Sequence, residues 1–103
     1  MKKFKIRLAP AANDRIAGHI EFLARISENA AYKLLDELIE DIKSLEANPQ
    51  INPYLDRPYI EPGKYRYKLS YGRYRIVYQI VNDTVFVDDI QDCRQDDDKS
   101  LLK

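Results

Sequence analysis

Apolar and basic residues alternate near the N-terminus and predict a first β-strand. Over residues 3–8, Phe4, Ile6 and Leu8 point to one side and basic residues point to the other. This period of two is expected of a half-buried strand. Pro10 then suits the first turn of a helix, where its missing N–H leaves no hydrogen bond unmade.

The next segment predicts two amphipathic helices. Apolar residues recur at intervals of three and four over residues 11–26, which is typical of a helix with one buried side. Ser27 can cap a second helix, and Asn48-Pro49 ends it. The apolar stripe of this second helix consists of Ala31, Leu34, Leu35, Leu38, Ile42 and Leu45. Such a short connection between two helices predicts an antiparallel hairpin.

A proline-rich loop separates the helices from the rest of the chain. Residues 48–63 hold four of the five prolines and little periodicity. We interpret this segment as an extended surface loop, and we expect Ile51, Tyr54 and Tyr59 to pin it to the domain.

Three strands follow in quick succession, over residues 65–69, 74–81 and 84–90, with turns at Tyr71-Gly72 and Asn82-Asp83. The segment 74–81 is almost continuously apolar, as expected of a central strand.

The predicted order is therefore β-α-α-β-β-β within a single domain, residues 1–103. The helical hairpin must bury its apolar stripe, and one face of the sheet offers the surface for it. The fold class is α+β: a two-layer sandwich with the hairpin on one face of a mainly antiparallel four-stranded sheet and the other face open. The first strand joins at an edge or beside a later strand.

Composition narrows the class of protein. The chain has 103 residues, enough for one core, and 45% of them are hydrophobic. No run approaches the roughly 18 apolar residues of a membrane span, and the basic N-terminus lacks the apolar stretch of a secretory signal. We expect a cytoplasmic protein. Cys93 is the single cysteine, so we expect no internal disulfide. His19 is the single histidine and is expected at the surface. With one cysteine and one histidine, we expect no metal site and no cofactor.

Charge is distributed unevenly, although the formal net charge is zero. Residues 64–75 contain no acid and five basic residues: Lys64, Arg66, Lys68, Arg73 and Arg75. Residues 83–98 contain seven aspartates against one Arg94. We interpret the acidic segment as solvated. The basic segment either protects exposed strands from aggregation or attracts an anionic partner, and we favour the partner.

Residues 65–69 (YRYKL) and 74–80 (YRIVYQI), followed by residues 85–90 and Arg94, resemble the paired strands and final strand of the RelE/ParE toxin superfamily. The resemblance covers essentially the whole chain. It implies the toxin of a type II toxin–antitoxin system, held silent by a cognate antitoxin. RelE-like members cut mRNA, usually on the ribosome, by attack of the ribose 2′-hydroxyl on the adjacent phosphate. ParE-like members instead inhibit DNA gyrase by binding.

Strand geometry suggests a cationic site. Arg66 and Lys68 project from the same face about 7 Å apart, Arg75 on the next strand could approach that face, and Arg94 could close the cluster. The resemblance implies that Lys68 is the general base and that Arg66, Arg75 and Arg94 stabilise the transition-state charge.

Residues outside that cluster are RNA-binding candidates: Lys64, Arg73 and Tyr71. Tyr65 and Tyr67 point to the opposite face and are predicted to be core.

Three functions compete. An mRNA endoribonuclease of the RelE-like branch is the favoured hypothesis, a gyrase inhibitor is the alternative, and a catalytically degenerate binding module is the third. The sequence departs from the RelE pattern because no tyrosine or histidine follows Arg94, and Ser100 stands where the tyrosine is expected. The neutral net charge also weakens the expectation of ribosome binding, which depends on neutralising phosphates.

Overall fold

The computed structural model describes residues 3–93 and has the predicted element order β-α-α-β-β-β. The elements are β1 (Lys5–Leu8), α1 (Pro10–Ala24), α2 (Glu28–Ser44), β2 (Arg66–Ser70), β3 (Tyr74–Val81) and β4 (Thr84–Asp92). The sheet order is β1-β4-β3-β2, with β1 parallel to β4 and the other pairs antiparallel. The predicted α+β fold is confirmed, with β1 at an edge of the sheet. No helix within residues 3–93 is long and apolar enough to cross a bilayer.

The sequence signals for the two helices act as expected. Pro10 occupies the first turn of α1. The Ser27 hydroxyl accepts a hydrogen bond from the Ala30 N–H at 3.2 Å and so caps α2. The buried side of α2 then packs with α1 against one face of the sheet, which we call the helix face. The largest fully buried apolar side chains of this core are Leu34, Leu38, Leu45, Tyr74, Ile76, Tyr78, Val85, Val87 and Ile90.

The other face of the sheet, which we call the back face, is partly covered by the proline-rich loop. Leu55 and Ile60 pack there against Tyr65 and Val77. The prediction that this face is open is therefore wrong in part, whereas the prediction that Tyr65 is core is confirmed.

Of the residues expected to pin the loop, Tyr54 contacts the sheet: it forms a bridge with Arg66 of β2 and its hydroxyl accepts a hydrogen bond from that guanidinium at 2.8 Å. Ile51 and Tyr59 are 79% and 38% exposed. The buried Leu55 also holds the loop to the outer edge of β2, because its N–H donates to the Tyr65 carbonyl at 2.8 Å. Neighbouring residues of an extended segment point to opposite sides. Leu55 therefore reaches the back face, and Tyr54 is directed away from it.

Tyr78 of β3 anchors the start of the loop on the helix face. Its hydroxyl donates to the Pro49 carbonyl at 2.6 Å and accepts from the Asn52 side-chain amide at 2.9 Å. Burial raises the pKa of Tyr78, and the hydrogen bond from Asn52 and the charge of Arg66 offset part of that rise. The ring belongs to the main core while its hydroxyl holds the loop, so one side chain joins both parts.

We expect Tyr78→Phe to lower the free energy of unfolding by about 1–3 kcal/mol at neutral pH, because Pro49 and Asn52 lose a buried partner. Tyr32→Phe is the control, since Tyr32 is 67% exposed. Urea denaturation followed by circular dichroism measures both variants.

The same pair of proteins tests the pKa of Tyr78. A raised pKa means that the folded state holds the phenol proton more tightly than the unfolded chain, whose value is near 10.0. The contribution of the Tyr78 hydroxyl to the free energy of unfolding is therefore complete below about pH 10 and is lost as the pH rises through the pKa of Tyr78 in the folded state. The difference in stability between wild type and Tyr78→Phe should shrink above about pH 10, and a constant difference would contradict the assignment.

Candidate functional site

The register of the β2–β3 hairpin separates the predicted cationic cluster. Ser70 lies opposite Tyr74, so Lys68 lies opposite Ile76 and Leu69 lies opposite Arg75. Paired residues share a face, and successive residues of a strand alternate between faces. Lys68 is therefore on the helix face and Arg75 is on the back face. The prediction that Arg75 approaches the face of Arg66 and Lys68 is wrong, because the hairpin register pairs it with the residue after Lys68.

Arg66 and Lys68 do share a face, as predicted, but both are engaged within the chain. The Arg66 guanidinium donates to the Asn52 carbonyl at 2.6 Å and to the Tyr54 hydroxyl at 2.8 Å, and it lies 4.0 Å from the centre of the Tyr54 ring. The Lys68 ammonium donates to the Ser44 hydroxyl at 2.6 Å and lies 3.6 Å from an Asp41 carboxylate oxygen. These contacts join β2 to the loop and to α2.

Arg75 belongs to a buried chain of polar side chains. It is 8% exposed and donates from Nε and Nη2 to Gln91 Oε1 at 3.2 and 2.9 Å. Gln91 Nε2 donates in turn to Asp89 Oδ2 at 3.1 Å, and Arg15 Nε of α1 lies 3.3 Å from Asp89 Oδ1. This row of side-chain contacts connects α1, β4 and β3. Arg75 therefore helps to hold these three elements together, whatever role it has in binding.

Arg73 and Asp92 form an ion pair at the end of β4. Arg73 donates from Nε and Nη2 to one Asp92 oxygen at 3.1 and 2.7 Å, and the Asp92 side chain is 4% exposed. The Cys93 N–H donates to the Arg73 carbonyl at 2.8 Å. These bonds fix the last described residue of the chain against the β2–β3 turn.

The interpretation of the acidic segment as solvated is wrong for Asp89 and Asp92, which are 0% and 3% exposed. Antiparallel pairing of β3 with β4 places Asp92 opposite Tyr74, beside Arg73. Acidic partners for two residues of the basic segment therefore come from elsewhere: Asp92 of β4 for Arg73 and Asp41 of α2 for Lys68. His19 also departs from expectation: its Nε2 lies 2.7 Å from the Ile90 carbonyl and its ring is half-buried.

The remaining predicted residues lie apart. Lys64 is exposed, with its ammonium 5.4 Å from the Tyr65 ring. Tyr71 has a φ of +55° and packs half-buried against the main core, which occupies the ring proposed for stacking. Arg94 and Ser100 lie outside the described residues. The RNA-binding roles of Lys64, Arg73 and Tyr71 and the catalytic roles remain predictions.

Four polar residues that the sequence analysis did not single out hold this region together: Arg15, Asp89, Gln91 and Asp92. A signal exists for the three residues of β4, because residues 85–92 read VFVDDIQD and place acids and an amide inside an otherwise apolar strand. Buried polar groups require partners. Which partners they have depends on the register and on α1, which the strand's own sequence does not contain.

Comparison with known families decides the class of protein. Residues 6–97 match the model of a family described as the ParE toxin of the type II toxin–antitoxin system, parDE. This chain belongs to the ParE toxin family. The superfamily predicted from the sequence is confirmed, and the match lies with ParE rather than with the RelE-like branch that the sequence analysis favours.

A solved structure of the chromosomal ParDE toxin–antitoxin system from P. aeruginosa is similar to this ParE-family chain, with a TM-score of 0.69 over 86% of this chain and 95% of the other. At 14% identity, that similarity supports the fold alone. No curated protein matches the sequence significantly.

We expect Arg75→Ala to destabilise this ParE-family toxin by about 2–4 kcal/mol, because it removes buried, charge-assisted hydrogen bonds. Lys68→Ala should cost less than about 1 kcal/mol, because the Lys68–Asp41 pair is partly exposed. Chemical denaturation of both variants measures the difference. Equal losses of stability in the two variants would contradict the difference between the buried contacts of Arg75 and the partly exposed ion pair of Lys68.

Proposed function

We propose that this chain is the toxin of a parDE pair and that it inhibits DNA gyrase by binding, without cutting RNA. The observation that carries the proposal is the ParE family match over residues 6–97. A ParDE toxin pairs with a cognate antitoxin, so we infer that such a partner holds this chain silent.

The placement of the basic residues supports binding over cleavage. Metal-free RNA cleavage needs a proton acceptor near the 2′-hydroxyl and several cations around one phosphate. Among residues 3–93, only Arg66 and Lys68 of the proposed catalytic set share a face, and each contacts partners within the chain. Inhibition by binding requires neither a base nor an acid.

The charge balance supports a protein target in the same way. Lys and Arg together number 17, as do Asp and Glu. Contacts with RNA derive much of their affinity from neutralised phosphates, which favours proteins with a clear excess of positive charge. A neutral toxin is better suited to a protein surface.

We expect the purified toxin to inhibit gyrase-catalysed supercoiling of a relaxed plasmid, and we expect the cognate antitoxin to relieve that inhibition. Lys68→Ala should inhibit as strongly as the wild type, because the proposed mechanism uses no general base. Gel electrophoresis of the plasmid topoisomers measures both results.

A parallel cell-free translation reaction separates the endoribonuclease hypothesis from this proposal. Intact message together with inhibited supercoiling supports the gyrase proposal. Cleaved message, lost in Lys68→Ala with supercoiling unaffected, would overturn it in favour of RNA cleavage. A folded toxin with neither activity would also overturn it, in favour of a binding module.

A further inference from the structure

The first turn of the proline-rich loop is tied to the sheet at both of its ends. At one end, the Tyr78 hydroxyl donates to the Pro49 carbonyl at 2.6 Å. At the other end, the Arg66 guanidinium donates to the Asn52 carbonyl, also at 2.6 Å. Ile51 lies between these two anchored residues, so its position relative to the sheet is fixed.

Two apolar side chains project into solvent from this anchored segment. Ile51 is 79% exposed, the highest value among the large hydrophobic residues of the described region. Tyr54 is 51% exposed, and the Arg66 guanidinium lies 4.0 Å from the centre of its ring. A single exposed apolar residue is ordinary at a protein surface. Tyrosine and arginine, however, are enriched among the residues that dominate protein–protein binding, and here they stack beside an exposed isoleucine.

A small cleft opens beside the Tyr54 ring. Its volume is about 260 Å³, large enough to admit one side chain, and the described residues that line it are Gln50, Tyr54, Gly63, Lys64, Arg66 and Ile80. Two of these residues are basic and none is acidic. Within residues 3–93, no carboxylate forms an ion pair with Lys64 or Arg66. The local field of the cleft therefore favours an anionic group.

The side chains around the cleft are already arranged in the free toxin. The Arg66 guanidinium donates to the Tyr54 hydroxyl at 2.8 Å in addition to the Asn52 carbonyl, and residues 54 and 66 also form a backbone bridge. Association costs free energy for every side chain that it immobilises, and a surface arranged beforehand avoids part of that cost. This corner of the molecule is therefore suited to binding.

A protein fits this surface better than a nucleic acid does. The exposed side chain of Ile51 can form only apolar contacts, and a phosphodiester backbone offers it no apolar partner. The chain also carries 17 basic and 17 acidic residues, so its total charge gives no general attraction to phosphates. The anionic group expected in the cleft is then a carboxylate on a protein surface.

We propose that gyrase docks on the loop surface, which consists of Ile51, Tyr54, Lys64 and Arg66. Gyrase presents an apolar patch to Ile51 and Tyr54 and inserts one acidic side chain into the cleft beside Lys64 and Arg66. The inference rests on the gyrase inhibition of the proposed function and names the part of the toxin that performs it. It uses two kinds of contact, apolar and ionic, and each can be tested separately.

Ile51→Asp tests the apolar contact. It should weaken binding of the toxin to immobilised gyrase holoenzyme without DNA by at least roughly tenfold, measured by surface plasmon resonance. Ile26→Asp is the matched control, because Ile26 is 70% exposed in the connection between α1 and α2 and the change is identical. Both variants should unfold at the same urea concentration as the wild type, since both side chains lie in solvent. Equal effects of the two substitutions on binding would overturn the proposal.

Lys64→Glu tests the ionic contact. It should weaken gyrase binding by roughly three- to tenfold, and the effect should largely vanish in about 1 M salt. Lys33→Glu is the matched control, because Lys33 is exposed on α2 and the charge change is the same. A loss that appears only when gyrase carries plasmid DNA would assign the cleft to a DNA phosphate and would overturn the proposed carboxylate.

The same measurements separate this inference from the proposed function. A wild-type toxin that does not bind gyrase would overturn the proposed target and the loop surface together. If the wild type binds and inhibits gyrase, and Ile51→Asp and Lys64→Glu do so equally well, the loop surface alone is overturned and the target is kept.

Discussion

In the sheet, Arg75 of β3 pairs with Leu69 of β2 on one side and with Gln91 of β4 on the other. This strand register decides on which face of the sheet each charged side chain lies. Side chains of a strand alternate with a period of two, so a shift of one residue would turn every side chain of β3 to the other face. The register observed buries Tyr74, Ile76 and Tyr78 against the helices. The same register places Arg75 on the back face, where its guanidinium donates hydrogen bonds to Gln91. Burial of the aromatic residues therefore fixes the positions of the charged ones.

Long-range partners compensate the charges along this chain. Asp41 and Asp92 come from α2 and β4, and they meet Lys68 and Arg73 of the basic segment. The Lys68 pair is partly exposed and contributes little to stability, whereas the Asp92 carboxylate is nearly buried and depends on its guanidinium partner. A segment that is strongly basic in sequence thus becomes a set of internal contacts between secondary-structure elements.

A fold shared by RNA-cutting and gyrase-binding toxins does not decide between the two activities, because activity resides in the arrangement of side chains on the fold. In this chain, Arg66 bonds to Asn52 and Tyr54 and Lys68 bonds to Ser44, so two of the residues expected to act in catalysis make contacts within the chain. The family match and this geometry both support the proposal of a toxin that acts by binding.

The sequence by itself determined the elements and their order. Alternation identified β1, Ser27 marked the start of α2, and the apolar run over residues 74–81 identified the central strand, because each signal depends on neighbours within a few residues. Tertiary structure alone decided that Leu55 is buried against the back face, that Arg75 faces away from Lys68, and that Asp92 is buried. Those outcomes depend on strand register and on contacts between residues far apart in the chain. The local periodicity of the sequence predicts neither of them.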